Sequence, residues 1–322
     1  MELTDTNLEF FVSKRLKLAP RKRSEYLAQV DHLIARFEAK VHGDPVFGVR
    51  KFLKTGSLRK GTVLRPRGDF GVDADIAVYL EADGASQFDL ASLHGRLRNL
   101  LLSVYPTKKA EDFTIQPRTL GIVFHESGLE VDFVPILPID GPGDYGWQPS
   151  SRGDAPVMTS VSKQLDFIRA RKRRYGRFAS LVRLLKYWRN QHELDDTLRS
   201  FLIELIVCHL QDTEGPAASL EEGLLRFFLF LAQTELLSPI YFAENGSAPA
   251  PPRDRAVVLD PVNSENNVAR QLSDIDCAEI VVKAVEAWEC LSAARNNCRK
   301  GETLEYWKHV FGRSFVIEEA GS

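Results

Sequence analysis

One short stretch limits what this chain can fold into: Lys54 to Leu80, KTGSLRKGTVLRPRGDFGVDADIAVYL. Its second half predicts a strand, because Ile76, Val78 and Leu80 alternate with Asp75, Ala77 and Tyr79. Residues two apart on a strand share a face, so Asp73 and Asp75 stand side by side. Two carboxylates held that close repel each other unless a cation lies between them, and a hard divalent ion suits an all-oxygen site. The first half predicts a turn opening a short helix, with Thr55, Gly56 and Ser57 ahead of Leu58-Arg59-Lys60. Such a start offers unpaired backbone N–H groups, and glycine lets a phosphate approach the backbone closely.

A third carboxylate follows on a second strand-like run. Gly128 to Leu137, GLEVDFVPIL, is another alternating run, and it places Asp132 between apolar neighbours. A charge there is expensive without a partner. Two aspartates on one strand and one on a second can hold two metals about 4 Å apart and drive an in-line phosphoryl displacement. Taken singly, GS is an ordinary turn and each aspartate a solvated strand-edge charge. The three features in this order favour chemistry.

The same residues resemble a known group. GSLRKGT, DADIAVYL and LEVDFVPIL resemble the nucleotidyltransferases of the polymerase-β-like superfamily. LDFIRARKRR, LVRLLKYWRN, RSFLIELIV, LDPVNSENNVARQL and YWKHVFGRSF are similar to the bacterial CD-NTases, relatives of oligoadenylate synthase and animal cyclic GMP-AMP synthase. Within that family the resemblance is greatest to the clade C group of CBASS anti-phage systems, with clade D next. It runs from about Ser57 to Phe315.

The resemblance implies an α+β enzyme: a mixed-sheet nucleotidyltransferase core plus a helical, oligoadenylate-synthase-like C-terminal lobe. It assigns Asp73, Asp75 and Asp132 as catalytic residues and as ligands of a two-metal Mg²⁺ site that also accepts Mn²⁺. Gly56, Ser57, Lys186 and Ser200 become nucleotide-binding residues. Lys186 stands in the K-Y-W position whose lysine reaches the incoming triphosphate, and Ser200 opens the next helix. The implied reaction joins NTPs, mainly ATP, with pyrophosphate release, and closes them into a cyclic trinucleotide, cyclic tri-AMP. The implied partners are a HORMA-domain activator with its AAA+ remover and an effector nuclease reached through the product; double-stranded DNA as an activator is read instead from the basic stretch Lys163 to Arg177. The alternatives are linear oligoadenylate synthesis, nucleotidyl transfer to a protein or tRNA, and a ligand-binding module that has lost its chemistry. One departure from the family pattern is a long linker, Arg65 to Val72, whose Asp69 competes for the role of first metal ligand. Only Asp73 and Asp75 lead directly into the apolar strand.

Composition excludes several other classes. With 44% hydrophobic and 27% charged residues, the 322-residue chain has enough apolar material for a real core. A formal charge of −2 excludes a wholly basic nucleic-acid binder. The cysteines, Cys208, Cys277, Cys290 and Cys298, show no C-x-x-C spacing, which points to a reducing cytosol without zinc or a disulfide framework. No apolar run reaches the length of about 18 residues that a membrane span needs, so a cytoplasmic location and no membrane partner are expected.

The chain is expected to divide into an N-terminal bracing helix segment, 1–45, a nucleotidyltransferase core, 46–155, and a helical lobe, 156–322. From Pro20, Leu27, Val30, Ile34, Phe37 and Val41 recur at helical spacing until Gly43-Asp44-Pro45. Leu90 to Val104 predicts a helix inside the core, and Phe178 to Asn190 one with Leu181, Leu185 and Trp188 on its apolar stripe. Ser273 with Asp276 is a capping pair for a helix running to about Ala294. Lys163 to Arg177 carries seven basic residues and one acid, Asp166. That stretch reads equally as a solvated helix face and as a surface for a polyanionic activator.

Overall fold

The computed structural model describes residues 3–42, 48–66, 71–81, 90–139, 144–152, 155–246 and 253–317. The chain forms two compact units, Leu18–Asp166 and Met1–Lys17 with Phe167–Ser322. The boundaries expected from the sequence, after 45 and after 155, differ from this division. Its physical basis is where the apolar side chains go. Phe11 packs among Tyr187, Phe311 and Phe315, whereas Val30, Leu33 and Phe37 enter the core beneath the sheet.

In the first unit, helix α2 (Pro20–Val41; α1 is Asp5–Phe11) precedes strand β1 (Val49–Thr55) and the short helix α3 (Gly56–Lys60). Strand β2 (Val72–Leu80) and helix α4 (Leu90–Val104) follow, the helix with the bounds its sequence predicts. Next come β3 (Phe113–Ile115), β4 (Leu120–Phe124), β5 (Leu129–Pro138), β6 (Gly146–Gln148) and β7 (Val157–Thr159). The sheet order is β1-β2-β5-β4-β3, with β6 pairing the end of β5 and β7 pairing β6. β2 and β5 run parallel, and the other pairs are antiparallel.

Alternation along β2 gives the sheet two unlike faces. Val72, Ala74, Ile76, Val78 and Leu80 are buried in the core built with α2 and α4. Phe37 anchors that core, its ring centroid 5.7 Å from Phe52 and 5.6 Å from Phe133. Asp73, Asp75, Ala77 and Tyr79 point the other way. Ala77 and Tyr79 are covered by Val161 and Leu165 at the start of α5 (Val161–Arg174). The Asp73 end of that face stays open to solvent.

The second unit is helical: α6 (Phe178–Gln191), α7 (Ser200–Thr213), α8 (Leu220–Thr234), α9 (Asp274–Asn296) and α10 (Lys300–Phe311), with α1. α8 ends at Thr234, because Glu235 and Leu236 adopt positive φ and leave the helix. The Ser273–Asp276 capping box is present at α9. The Asp260…Asn266-Asn267 signature forms the pair β8 (Leu259–Asp260) and β9 (Asn263–Asn267). Its polar groups bond to each other: Asn266 donates to Asp260 at 3.1 Å, and Asn267 accepts the N–H groups of Val258 and Ala269. That network fixes a loop, as its composition suggests. Among the described residues no helix is long and apolar enough to cross a membrane.

Candidate active site

A single row of residues crosses the sheet and carries the acidic centre. Strand register sets Thr55 beside Asp75, Asp75 beside Asp132, Asp132 beside Gly121, and Gly121 beside Thr114. One step away on the same face, Asp73 lies beside Glu130. The structure therefore brings together all three aspartates singled out by sequence. It adds Glu130, whose i−2 spacing from Asp132 on an alternating strand was the available signal. Asp69 lies outside the described residues.

Crowding of like charge shows in the proton affinities. Burial pushes the Asp132 carboxyl up to about 7, and Asp75, Asp73 and Glu130 push in the same direction. Glu130 is raised as well, by burial first and by Asp73 second. An all-carboxylate set on one face of the sheet fits a hard divalent cation such as Mg²⁺ or Mn²⁺. The carboxylates nonetheless do not converge: among the described residues no three His, Cys, Asp or Glu side chains form a metal-holding group.

Two glycines show where the carboxylates lie. Gly56 has φ +68°, and a Cβ there would come 1.6 Å from Asp75 Oδ2. The Asp75 head thus occupies the volume a side chain at 56 would need. Both the conformation and the contact require glycine. At Gly121 a Cβ would meet Asp132 Oδ1 at 3.0 Å.

Helix α3 begins at Gly56, directly after β1 delivers Thr55 beside Asp75. It closes at Gly61 in the left-handed region. Arg23 of α2 donates to the Leu58 carbonyl oxygen at 2.9 Å and 3.1 Å, fixing the turn against the core helix. Ser57 accepts the Thr62 N–H through its own carbonyl oxygen at 3.0 Å. The G-S pair is thus held rigidly next to the acidic row.

Lys186 and Ser200 belong to the helical unit. α6 is buried from Leu181 to Arg189, Lys186 included. Arg189, one turn on, donates to Ser200 Oγ at 3.1 Å and to the Leu198 carbonyl oxygen at 3.3 Å. Arg189 thereby fixes the opening of α7, a role sequence reasoning missed because arginine on a helix is ordinarily solvated.

In the basic stretch Lys163–Arg177, Lys163, Arg169, Arg173, Arg174 and Arg177 are exposed, as a solvated helix face requires, but two of its arginines also make ties within the helical unit. Arg171 is largely buried, paired with Asp212 and Glu244, and stacked 3.5 Å from the Phe167 ring centroid. Arg177 pairs with Asp5 of α1. These are internal ties. Arg173 and Arg174 remain exposed on the last turn of α5.

Comparison with known proteins gives a consistent picture. A family model described as the Nrap protein PAP/OAS1-like domain 5 matches residues 175–242. The CBASS oligonucleotide cyclase CdnC of Escherichia coli (strain KTE188) is 35% identical over 320 residues, covering 99% of this chain and 100% of that protein. A cyclic AMP-AMP-AMP synthase of Escherichia coli (strain MS 115-1) is 34% identical over 95% of each chain. The solved structure of E. coli MS115-1 CdnC with ATP superposes with a TM-score of 0.84 at 33% identity, over 97% of this chain and 99% of that one. The CdnC:HORMA-deltaN complex from the same source gives 0.83 at 32% identity, over 98% and 99%. Vibrio cholerae DncV shares the fold, with a TM-score of 0.72 at 14% identity over 99% of this chain and 100% of that one.

Proposed function

The chain belongs to the CD-NTases, the nucleotidyltransferase family of the CBASS oligonucleotide cyclases, and we propose that it makes cyclic tri-AMP from ATP as an anti-phage second messenger. The observation that carries this reading is the acidic row, with Asp75 in register with Asp132 and Asp73 on the same open face.

Asp73, Asp75 and Asp132 are the residues that would hold Mg²⁺ in a two-metal site, which when bound neutralises triphosphate charge and favours the alkoxide of the attacking ribose. Gly56 and Ser57 offer backbone N–H groups and a hydroxyl to the triphosphate. Lys186 adds a compact positive charge for it, and Ser200 a hydroxyl. Asp132, whose carboxyl burial raises to about 7, takes the proton from the ribose hydroxyl. The hydroxyl attacks the α-phosphorus in line and pyrophosphate leaves. Two such steps build a linear trimer, and a third closes the ring. Alignment and charge neutralisation supply most of the acceleration.

The same premise extends to partners. A relative's structure contains CdnC with a HORMA protein, and we assign this chain a HORMA-domain activator with an AAA+ remover, a cytosolic setting and a cyclic-nucleotide-activated effector nuclease. Double-stranded DNA is the further activator suggested by the exposed Arg173 and Arg174.

The test is incubation with the four NTPs and Mg²⁺ or Mn²⁺, phosphatase treatment, and mass determination of what resists. A phosphatase-resistant product with the mass of cyclic tri-AMP is expected. Only phosphatase-sensitive linear products would leave a linear oligoadenylate synthase instead.

A further inference from the structure

We infer that Arg189 is a positioning residue for the triphosphate, acting through Ser200: it takes up the acceptor side of the Ser200 hydroxyl and leaves that hydroxyl's proton for a phosphate oxygen. The inference rests on the placement of Ser200 at the triphosphate proposed above. Arg189 is buried near the end of α6, about one turn after Lys186, and Ser200 opens α7. The guanidinium is held on one side by Asn190, whose Oδ1 accepts from Nε at 2.8 Å and from Nη2 at 2.6 Å. On the other side Nη1 donates to Ser200 Oγ at 3.1 Å and to the Leu198 carbonyl oxygen at 3.3 Å. Arg189 therefore ties the helix that carries Lys186 to the residue that begins the next.

Donor and acceptor roles in this chain of bonds have one solution. A guanidinium donates and never accepts, so Ser200 Oγ is the acceptor toward Arg189 and its O–H points elsewhere. A serine inside a helix commonly gives its proton to a carbonyl one turn back. Ser200 is the first residue of α7, so no turn of that helix precedes it. Phosphate oxygens are acceptors, and a hydroxyl that already accepts from a cation is the stronger donor to them. Removing Arg189 reverses the preference. The Leu198 carbonyl oxygen, served by the same nitrogen, then loses its donor and competes for the Ser200 proton.

The probe is α,β-methylene ATP with Mg²⁺, which binds as a triphosphate but cannot release pyrophosphate. Its Kd is read by calorimetry on the full chain, beside Tm. Ser200→Ala is expected to weaken binding about ten-fold, and Arg189→Met, which keeps the volume and gives up every donor, about three-fold or more. In the Ser200→Ala background Arg189→Met has no further effect, because the hydroxyl that Arg189 directs is gone. In steady state the loss in Arg189→Met falls on KM for ATP more than on kcat. An equal loss from Arg189→Met in both backgrounds overturns the role of Arg189, as does a wild-type Kd for Arg189→Met beside a weakened Ser200→Ala. A wild-type Kd in Ser200→Ala overturns the placement of Ser200 itself. Should Arg189→Met fail to fold, Asn190→Ala releases the guanidinium from its clamp instead. Weaker binding by Asn190→Ala that vanishes in the Ser200→Ala background supports the inference. An unchanged Kd, or an equal loss in both backgrounds, overturns it.

Discussion

Asp75 and Asp132 stand in register on adjacent parallel strands, and their carboxylates lean apart, each over a glycine. Burial first, and the Asp75 carboxylate second, raise the proton affinity of Asp132.

Replacing Asp73 and Asp75 together with Asn should abolish product formation, a loss of about 1,000-fold or more by the scale of removed electrostatic stabilisation. The metal-free Tm should stay level or rise, because the repulsion goes with the charge. Asp69→Asn should cost little in the same assay. A loss equal to that of Asp75→Asn would make Asp69 the first ligand.

Stability should depend on pH through Asp132. Its folded carboxyl titrates near 7 while an unfolded aspartate titrates near ~4, so the native state holds the extra proton between those values. The stability contributed is complete below about pH 4 and is lost as pH rises through about 7. His94, His192 and His209 act oppositely, since burial lowers each and favours the neutral ring. The comparison is therefore wild type against Asp132→Asn in metal-free buffer. Tm of wild type should fall by several °C relative to the variant between pH 5 and pH 8, by the usual conversion of about 2–4 °C per kcal/mol for a chain of this size. Parallel curves would remove Asp132 as the titrating group.

Gly56→Ala should fail twice over. An alanine at φ +68° is strained, and its Cβ would displace the Asp75 carboxylate. We expect about 1–3 kcal/mol of destabilisation, with activity reduced by more than the fraction unfolded explains. Thermal denaturation beside a product assay separates the two effects.

Arg171 and the neighbouring arginines should part company. Arg171→Ala leaves Asp212 and Glu244 without their shared guanidinium and uncovers Phe167, so about 2–4 kcal/mol of stability should be lost. Arg173→Glu with Arg174→Glu should leave Tm nearly unchanged. If DNA is an activator, this pair should weaken DNA binding, flatten its salt dependence and lower the stimulated rate only. Unchanged filter binding across a salt series would leave that helix end merely solvated.

Local pattern made part of this protein legible. The two-residue period of DADIAVYL and LEVDFVPIL requires two strands, each with one face apolar and one carrying aspartates, whatever the rest of the chain does. Pro20, the Ser273–Asp276 box and Gly312 mark helix ends through chemistry confined to a few residues. Pairing across the chain is not local. That β5 lies parallel to β2 with Asp132 level with Asp75, and Glu130 level with Asp73, depends on register between segments about 55 residues apart. Burial of Lys186 and of Arg171 depends likewise on what packs around a helix, which its own spacing does not encode. Gly121 looks like a turn or a weak point in the sequence. Only the neighbouring strand shows that a side chain there would meet the Asp132 carboxylate.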